Sequence, residues 1–510
     1  MKLLKIYGVV FAMIASQSAL AGGFLTNANQ NIAFNRHFSR EAAIGIDGVY
    51  SNPAGVAFLR DGAHLSLNVQ TVFQDRIIKN EYPLFLNNVN NPTMTREFKG
   101  KALAPVVPSI QFAYNWKNFS FQSNFSVGGG GGKATFDDGL GSFERIVAET
   151  AMGATGLAKA IDAVAVPGGK MFSSDQNLGS TGAYSFNSYM EGRQYYYGLS
   201  LGAAYKVRPD LSVFAGVRGV YALTNYYGYV RDIKVGNMPL YQMLDPSKTN
   251  AADIELNCDQ SGIGFTPILG IDYKAGRWNF AAKYEFRTKI SLKNKSVNQV
   301  PSIGNLPTNI VEAFVHAGVP LAQAQTIISQ PTVAGTMVAL KTKFDSEIGH
   351  AIGEYEDGKS VRGDVPALLA VGVGYSPVDA LRLNVGFHYF WDKQAKGYND
   401  KQDKLSHGTR ELNAGVEYDA NDRLTVSAGW QNTSYGLTPE YMEDKSFNVS
   451  SNSIGAGVKV HLSKKMSLNL AYFTTIYGHY KTSEVGLGGE YKADYHRTNN
   501  VLGAGLDIDF

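Results

Sequence analysis

The chain of 510 residues has a single cysteine, Cys258, which excludes both a disulfide framework and a multi-thiolate metal site. Proline is scarce at 17, and aromatics make up 12% of the residues, which excludes a disordered chain. Charged residues are only 18% and the formal net charge is +3, too small for a nucleic-acid binder that works by neutralising phosphates. No run approaches the roughly 18 consecutive apolar residues that a membrane-spanning helix needs. Chemical motifs are lacking too. Gly198-Leu-Ser200-Leu-Gly202 matches a nucleophile elbow but lies in strand-like rather than strand-turn-helix sequence. Lys133 follows a glycine run without the Walker spacing, and the nine histidines show no paired metal spacing. His388 and His461 read as inward strand residues, and no enzymatic activity, metal or cofactor is expected.

What is present begins with a targeting segment. Lys2 and Lys5 precede the apolar run Ile6–Ile14, and Ala19-Leu20-Ala21 offers a cleavage site. Residues 1–21 therefore read as a secretory signal peptide. Its removal takes two lysines and no carboxylate, bringing the formal charge from +3 to +1.

The body alternates with period two. Leu424 to Trp430, Leu412 to Tyr418, Met466 to Tyr472 and the last ten residues each place apolar side chains on one face and small or polar ones on the other. Fourteen such runs are expected, from 63–78 to 494–510, among them a second at 104–116 and a ninth at 380–395. Lys117, Arg208-Pro209-Asp210, Ala275-Gly276, Pro377-Val378-Asp379, Asn421-Asp422 and Ser463-Lys464 read as short turns, alternating with long connections. Aromatics end the apolar faces, and the chain closes on Phe510. Short turns on one side and long loops on the other are the pattern of an outer-membrane barrel, since hydrocarbon tolerates no open sheet edge. The expected fold is all-β: a 14-stranded antiparallel transmembrane barrel over 63–510. Long external loops fall near 137–187 and 294–361. Both carry helical sequence with apolar faces, either to cap the barrel or to form a docking groove.

Residues 22–62 alternate poorly, cannot fold alone, and are rich in apolar side chains such as Phe24, Ile32, Phe34 and Val56. In a barrel wide enough to leak, they are expected to fill the lumen. Phe24, the run from Glu41 to Gly55 with Asn52-Pro53-Ala54, the fourteen strands, the helical loops and the terminal Phe together resemble the FadL/TodX family of hydrophobic-compound transporters.

That resemblance implies a plug, or hatch, in a barrel that passes long-chain fatty acids or other hydrophobic molecules, with Asn52, Pro53 and Ala54 as the hatch motif. It implies that the glycine run Gly128, Gly129, Gly130, Gly131 and Gly132 kinks the third strand and opens the wall sideways. A flexible loop start is the alternative reading of that run. By position Phe24, Arg231, Lys393 and Lys396 resemble ligand contacts, although the three basic residues read equally as rim charges near lipopolysaccharide. The partners expected are a hydrophobic small molecule, outer-membrane lipid and lipopolysaccharide, and the barrel-assembly machinery through Phe510, with no nucleic acid. The location implied is the outer membrane of a Gram-negative bacterium. Rival readings are a structural or secretion-accessory barrel that binds a protein partner, an open polar porin and a barrel lipase.

Overall fold

The computed structural model describes residues 30–165, 170, 172–302, 304–316, 318–331, 334, 338 and 354–510. The signal segment and Phe24 lie outside the described residues. The rest forms a closed antiparallel barrel of fourteen strands. They are β1 (Gly62–Glu81), β2 (Thr95–Trp116), β3 (Phe119–Phe136), β4 (Tyr184–Arg208), β5 (Leu211–Val235) and β6 (Ile254–Ala275). Next come β7 (Trp278–Glu285, resuming as Ser291–Ser296), β8 (Ser360–Arg362 and Leu368–Val378), β9 (Leu381–Phe390) and β10 (Arg410–Asn421). The set ends with β11 (Leu424–Ser434), β12 (Ser451–Ser463), β13 (Met466–Tyr477, resuming as Tyr480–Gly486) and β14 (Gly489–Asp509). Closure comes from β1 and β14, paired continuously from His64–Asp509 to Glu81–Lys492.

The barrel is inside out relative to a soluble protein. Along β1, His64, Ser66, Asn68 and Gln70 are buried, whereas Leu67 and Val69 are exposed. The exposed side chains form the band a bilayer would cover. Aromatic pairs stand on this outer face next to the short turns, with Phe119 and Tyr205 at 4.8 Å and Trp278 and Tyr375 at 4.2 Å between ring centroids. At the other end Tyr389 and Trp391 meet at 4.8 Å.

All six short turns are present, at 117–118, 209–210, 276–277, 379–380, 422–423 and 464–465, with Ala275, Val378, Asn421 and Ser463 still in their strands. Differences gather at the opposite end. β2 starts at Thr95 rather than near 104, because Thr95–Lys101 continue the ladder with β1. β9 ends at Phe390, and Asp392–Gln394 and Tyr398–Lys404 are 3-10 turns instead of strand. Beyond the bilayer one face no longer has to be apolar, so the alternation that marks a strand fades.

Residues 30–61 lie inside the lumen. Helices α1 (Ile32–Asn35) and α2 (Gly48–Ser51) are a single turn each, and most side chains of the segment are buried. Gly415 and Gly429 pair across β10 and β11, and a Cβ on either would collide with the His37 carbonyl oxygen. The inward glycines thus form a groove that receives the segment's backbone.

Helix α3 (Gly141–Ala165), α4 (Tyr241–Leu244), α5 (Leu306–His316) and α6 (Leu321–Ser329) belong to the long connections. Phe314 is fully buried among them and meets Phe172 edge-on at 4.8 Å. Their apolar faces, Val147 of α3 among them, cover one another in a single core that also takes in Tyr82 and Phe85. Of the two expectations for the loop helices, this arrangement matches a cap.

Candidate functional site: plug, cavity and interrupted wall

The lumen segment is tied down by buried polar contacts to many strands. Glu417 on β10 receives Arg36 at 2.6 Å and Arg40 at 2.9 Å, and Arg40 also clasps Asp47 at 2.7 and 2.9 Å. His388 on β9 lies 2.7 Å from Glu41 of the segment and 2.8 Å from Glu411 of the wall. Burying such charges is unfavourable unless each finds a partner, and here each does. The sequence reading of His388 as a lumen-facing residue agrees with this position.

Asn52, Pro53 and Ala54 are fixed one by one. The Asn52 amide donates to Asp272 at 2.6 Å and to the Ala43 carbonyl at 3.2 Å. Gln122 donates to the Pro53 carbonyl at 2.7 Å, and Ser212 donates to the Ala54 carbonyl at 2.6 Å. The tripeptide is a buried corner: the wall answers the Pro53 and Ala54 carbonyls, and the Asn52 carbonyl accepts the Gly55 N–H at 3.0 Å.

Above the segment lies a cavity of about 310 Å³. Phe34, Phe38, Phe473 and Val501 line its floor, and Gln74, Arg76, Arg497 and Thr475 line its sides. It reaches Val127, Gly130 and Gly132 on β3. There the ladder between β2 and β3 is interrupted: Leu103 pairs with Lys133, and pairing resumes only at Ser109 and Ser126. The same stretch of β3 shifts register twice against β4, and Gly130 sits at φ +71°. A residue with a side chain is strained there, and a Cβ would run into the Gln194 carbonyl. On the facing strand Pro105 and Pro108 have no N–H to donate. The lumen segment touches this place, since Gln30 donates to the Val127 carbonyl at 3.0 Å. The glycine run therefore lies within a strand, not at a loop start.

The basic residues singled out by sequence are not brought to this cavity. Arg231 is exposed on β5, stacked 4.0 Å over the Tyr229 ring and 3.8 Å from Asp232. Lys393 is exposed on the turn after β9, and Lys396 pairs with Asp403 at 2.8 Å and Asp400 at 3.5 Å. The basic residues that do line the cavity are Arg76, Arg497 and Lys445. Strand parity already separates Arg231 from the cavity on β5. Arg231 shares the odd-numbered face of Val213, Val217 and Tyr221, all exposed, whereas Arg218 is buried on the even-numbered one.

The lumen also absorbs the residues of the discarded motifs. Ser200 accepts a hydrogen bond from Arg218 at 3.1 Å, and Arg218 makes a two-point pair with Glu285 at 2.7 and 3.0 Å. Among the described residues no group of three or more His, Cys, Asp or Glu is placed to hold a metal ion.

In the cap, burial moves two groups into the neutral range. The Asp392 carboxyl is pushed up to about 7, and the Lys445 ammonium is pushed down to about 7 against the opposing pull of Glu443 and Asp444.

No protein-family model matches the chain, and no curated protein matches it by sequence. Solved structures do match its fold. A FadL homologue from Pseudomonas aeruginosa superposes with a TM-score of 0.59 at 14% identity, covering 96% of this chain and 100% of that one. The Pseudomonas putida toluene transporter TodX gives 0.50 at 13% identity, covering 91% and 94%. A deltaS2S3 mutant of the TodX monoaromatic hydrocarbon channel gives 0.53 at 13% identity, covering 94% and 99%. The chain has the FadL/TodX barrel fold over nearly its whole length.

Proposed function

We propose that this chain is a passive transporter that takes up hydrophobic small molecules, long-chain fatty acids or similar compounds, across the outer membrane of a Gram-negative bacterium. One observation carries the reading: a lumen cavity stands above a buried N-terminal plug and continues to the interrupted β2–β3 ladder at Gly130. In this reading residues 1–21 are the export signal, 22–62 the hatch and 63–510 the barrel. Cargo is captured at the external loops and held in the cavity. It leaves sideways past Gly128 to Gly132 after the hatch has rearranged. Lateral exit is physically favoured, because each methylene kept out of water saves about 0.8 kcal/mol. No cofactor or energy source is required. Phe24 would act from below the cavity, and Arg231, Lys393 and Lys396 would act at the rim, where lipopolysaccharide is also a partner. The exposed Phe510, whose N–H donates to the Ala63 carbonyl at 2.9 Å, would be presented to the barrel-assembly machinery. The names of the superposing structures, a FadL homologue and a toluene transporter, support the class of cargo.

The test is uptake of radiolabelled oleate and toluene by cells that lack their own transporter for either. Accumulation of one of them above the empty-vector level supports the reading, and accumulation of neither overturns it. The closed apolar core of the cap, with Phe314 at its centre, favours a second reading, a barrel that docks a protein partner through rigid loops. Stable co-purification of one envelope protein, together with no uptake, would establish that alternative.

A further inference from the structure

Strand β13 carries an extra residue against β14. Ile476 pairs with Thr498, and where the ladder resumes Tyr480 pairs with Tyr495, so β13 advances four residues while β14 gives three. The surplus is a bulge at Tyr477-Gly478-His479, and it reverses the parity of the strand. Before it the even-numbered side chains face outward, with Tyr472 and Ile476 exposed; after it the odd-numbered ones do, as far as Val485. His479 is thereby turned onto the outer face, and the resumed register, continued by one residue, sets it opposite His496. The two imidazoles stack with centroids 4.4 Å apart and planes within 7°.

Each ring is held by one nitrogen. His479 Nδ1 lies 2.9 Å from the Asp494 carboxylate, and His496 Nδ1 lies 3.1 Å from the Gly478 carbonyl oxygen. Both of those oxygens only accept, so each Nδ1 carries the hydrogen and, in the neutral ring, each Nε2 carries the lone pair. Among the described residues neither Nε2 has a hydrogen-bond partner. This is how metal-ligating histidines are set up, with Nδ1–H on a carboxylate or backbone carbonyl and Nε2 left for the ion. Asp494 orients His479 through Nδ1, so the protein offers two ligands here rather than three. Asp494 also lies between Lys481 on β13 and Lys79 on β1, both exposed. One carboxylate among two ammoniums does not attract Mg(II) or Ca(II), so affinity has to come from imidazole nitrogen. The place is wet. His479 has 56% of its side chain exposed. Counted from Met466 at the short turn, at about 3.4 Å per residue and a tilt of ~40°, it stands roughly 34 Å up the wall, beyond an apolar band ~25 Å tall.

We propose that His479 and His496 form a two-imidazole site for a nitrogen-seeking divalent transition cation, Zn(II) or Cu(II), on the outer wall above the bilayer. The two Nε2 atoms are the protein ligands, water fills the remaining positions, and Asp494 fixes the orientation of His479. Closing on an ion at about 2.0–2.1 Å from each nitrogen requires the stacked rings to tilt toward each other about Cβ–Cγ, a soft torsion for imidazole. The site is independent of the uptake reading.

The test uses the whole barrel without an affinity tag, in nanodiscs of neutral phospholipid. Zn(II) is titrated calorimetrically in the presence of excess Mg(II), and Cu(II) at one equivalent is read by electron paramagnetic resonance. The wild type is expected to bind one Zn(II) at least tenfold more tightly than His479→Gln, His496→Gln or the double variant. Asp494→Ala, which removes no ligand, should weaken binding about tenfold by freeing the His479 ring. The copper spectrum of the wild type should show coupling to two equivalent imidazole nitrogens. Zinc binding no tighter in the wild type than in the double variant would overturn the site. So would displacement of zinc by Mg(II), or a copper spectrum with a single nitrogen. An undiminished affinity in Asp494→Ala would overturn the orienting role given to that carboxylate. All three side chains stand on the outer face, and the wild-type copper spectrum decides the ligand count even if a variant does not fold.

Discussion

The Asn52 side chain donates to the Asp272 carboxylate at 2.6 Å, while its own oxygen accepts the Gly55 N–H at 3.2 Å. One residue thus couples a turn of the plug to strand β6 of the wall. Asn52→Leu keeps the volume but leaves Asp272 with Asn279 alone, at 2.9 Å. A hydrogen bond to a buried charged group is worth about 1.5–3 kcal/mol. The variant is expected to have a loosened plug within an intact barrel. Planar-bilayer recordings should show frequent ion-conducting openings where the parent is silent. An unchanged, closed current trace would mean that the tripeptide is not what holds this corner.

Glu417 is the wall carboxylate for both Arg36 and Arg40. Among the described residues, Glu417→Gln leaves Arg36 without a carboxylate partner, whereas Arg40 still has Asp47. Breaking one side of a buried pair costs about 3–5 kcal/mol. That cost should appear locally, as faster hydrogen exchange in residues 30–42, with the barrel strands unaffected. Exchange at the parental rate would show that the pair contributes little to plug retention.

The barrel was legible because a sheet between lipid and a polar lumen writes a period of two into every strand. Leu424 to Trp430 and the C-terminal ten residues carry it without a break. The plug was legible by the failure of that period together with the apolar residues around Ile32 and Val56. The cavity's charge was not legible. Arg76 and Arg497 stand at opposite ends of the chain and meet only through the register of the closing strands. Arg231 was readable in principle, because parity along β5 sets it on the exposed face with Tyr221. The outer halves of β2 and the turns after β9 were misread for one reason: above the bilayer, both faces of a strand meet water or the cap.

Gly130 and Gly128 separate two effects of adding a side chain to the kinked strand. At Gly130 φ is +71° and a Cβ meets the Gln194 backbone, whereas at Gly128 a Cβ has only ordinary contact with the Tyr196 carbonyl at 3.9 Å. Gly130→Val must therefore shift the backbone beside the ladder interruption, and Gly128→Ala need not. If cargo leaves here, Gly130→Val should cut uptake at least tenfold while equilibrium binding to the purified barrel stays within threefold. Gly128→Ala should behave as the parent. Equal uptake by all three proteins would remove this wall from the route.

Lys445 gives the cap a pH dependence whose sign can be worked out. Unfolded lysine titrates near ~10.4, and burial brings Lys445 down to about 7 in the folded protein. Below about pH 7 both states hold the proton, and the unfavourable burial of the charge is fully present. Between about 7 and ~10.4 the folded state has released the proton and the unfolded state has not, so stability rises with pH. Lys401, also in the cap and pushed down to about 8 by burial, adds in the same direction. The thermal midpoint of the parent should therefore climb from pH 6.5 to 9.5, by more than that of Lys445→Met. A Lys445→Met, Lys401→Met double variant should be flatter still. If the parent and the double variant climb in parallel, the rise comes from other groups, and Lys445 keeps its charge by reaching solvent through the cavity it lines.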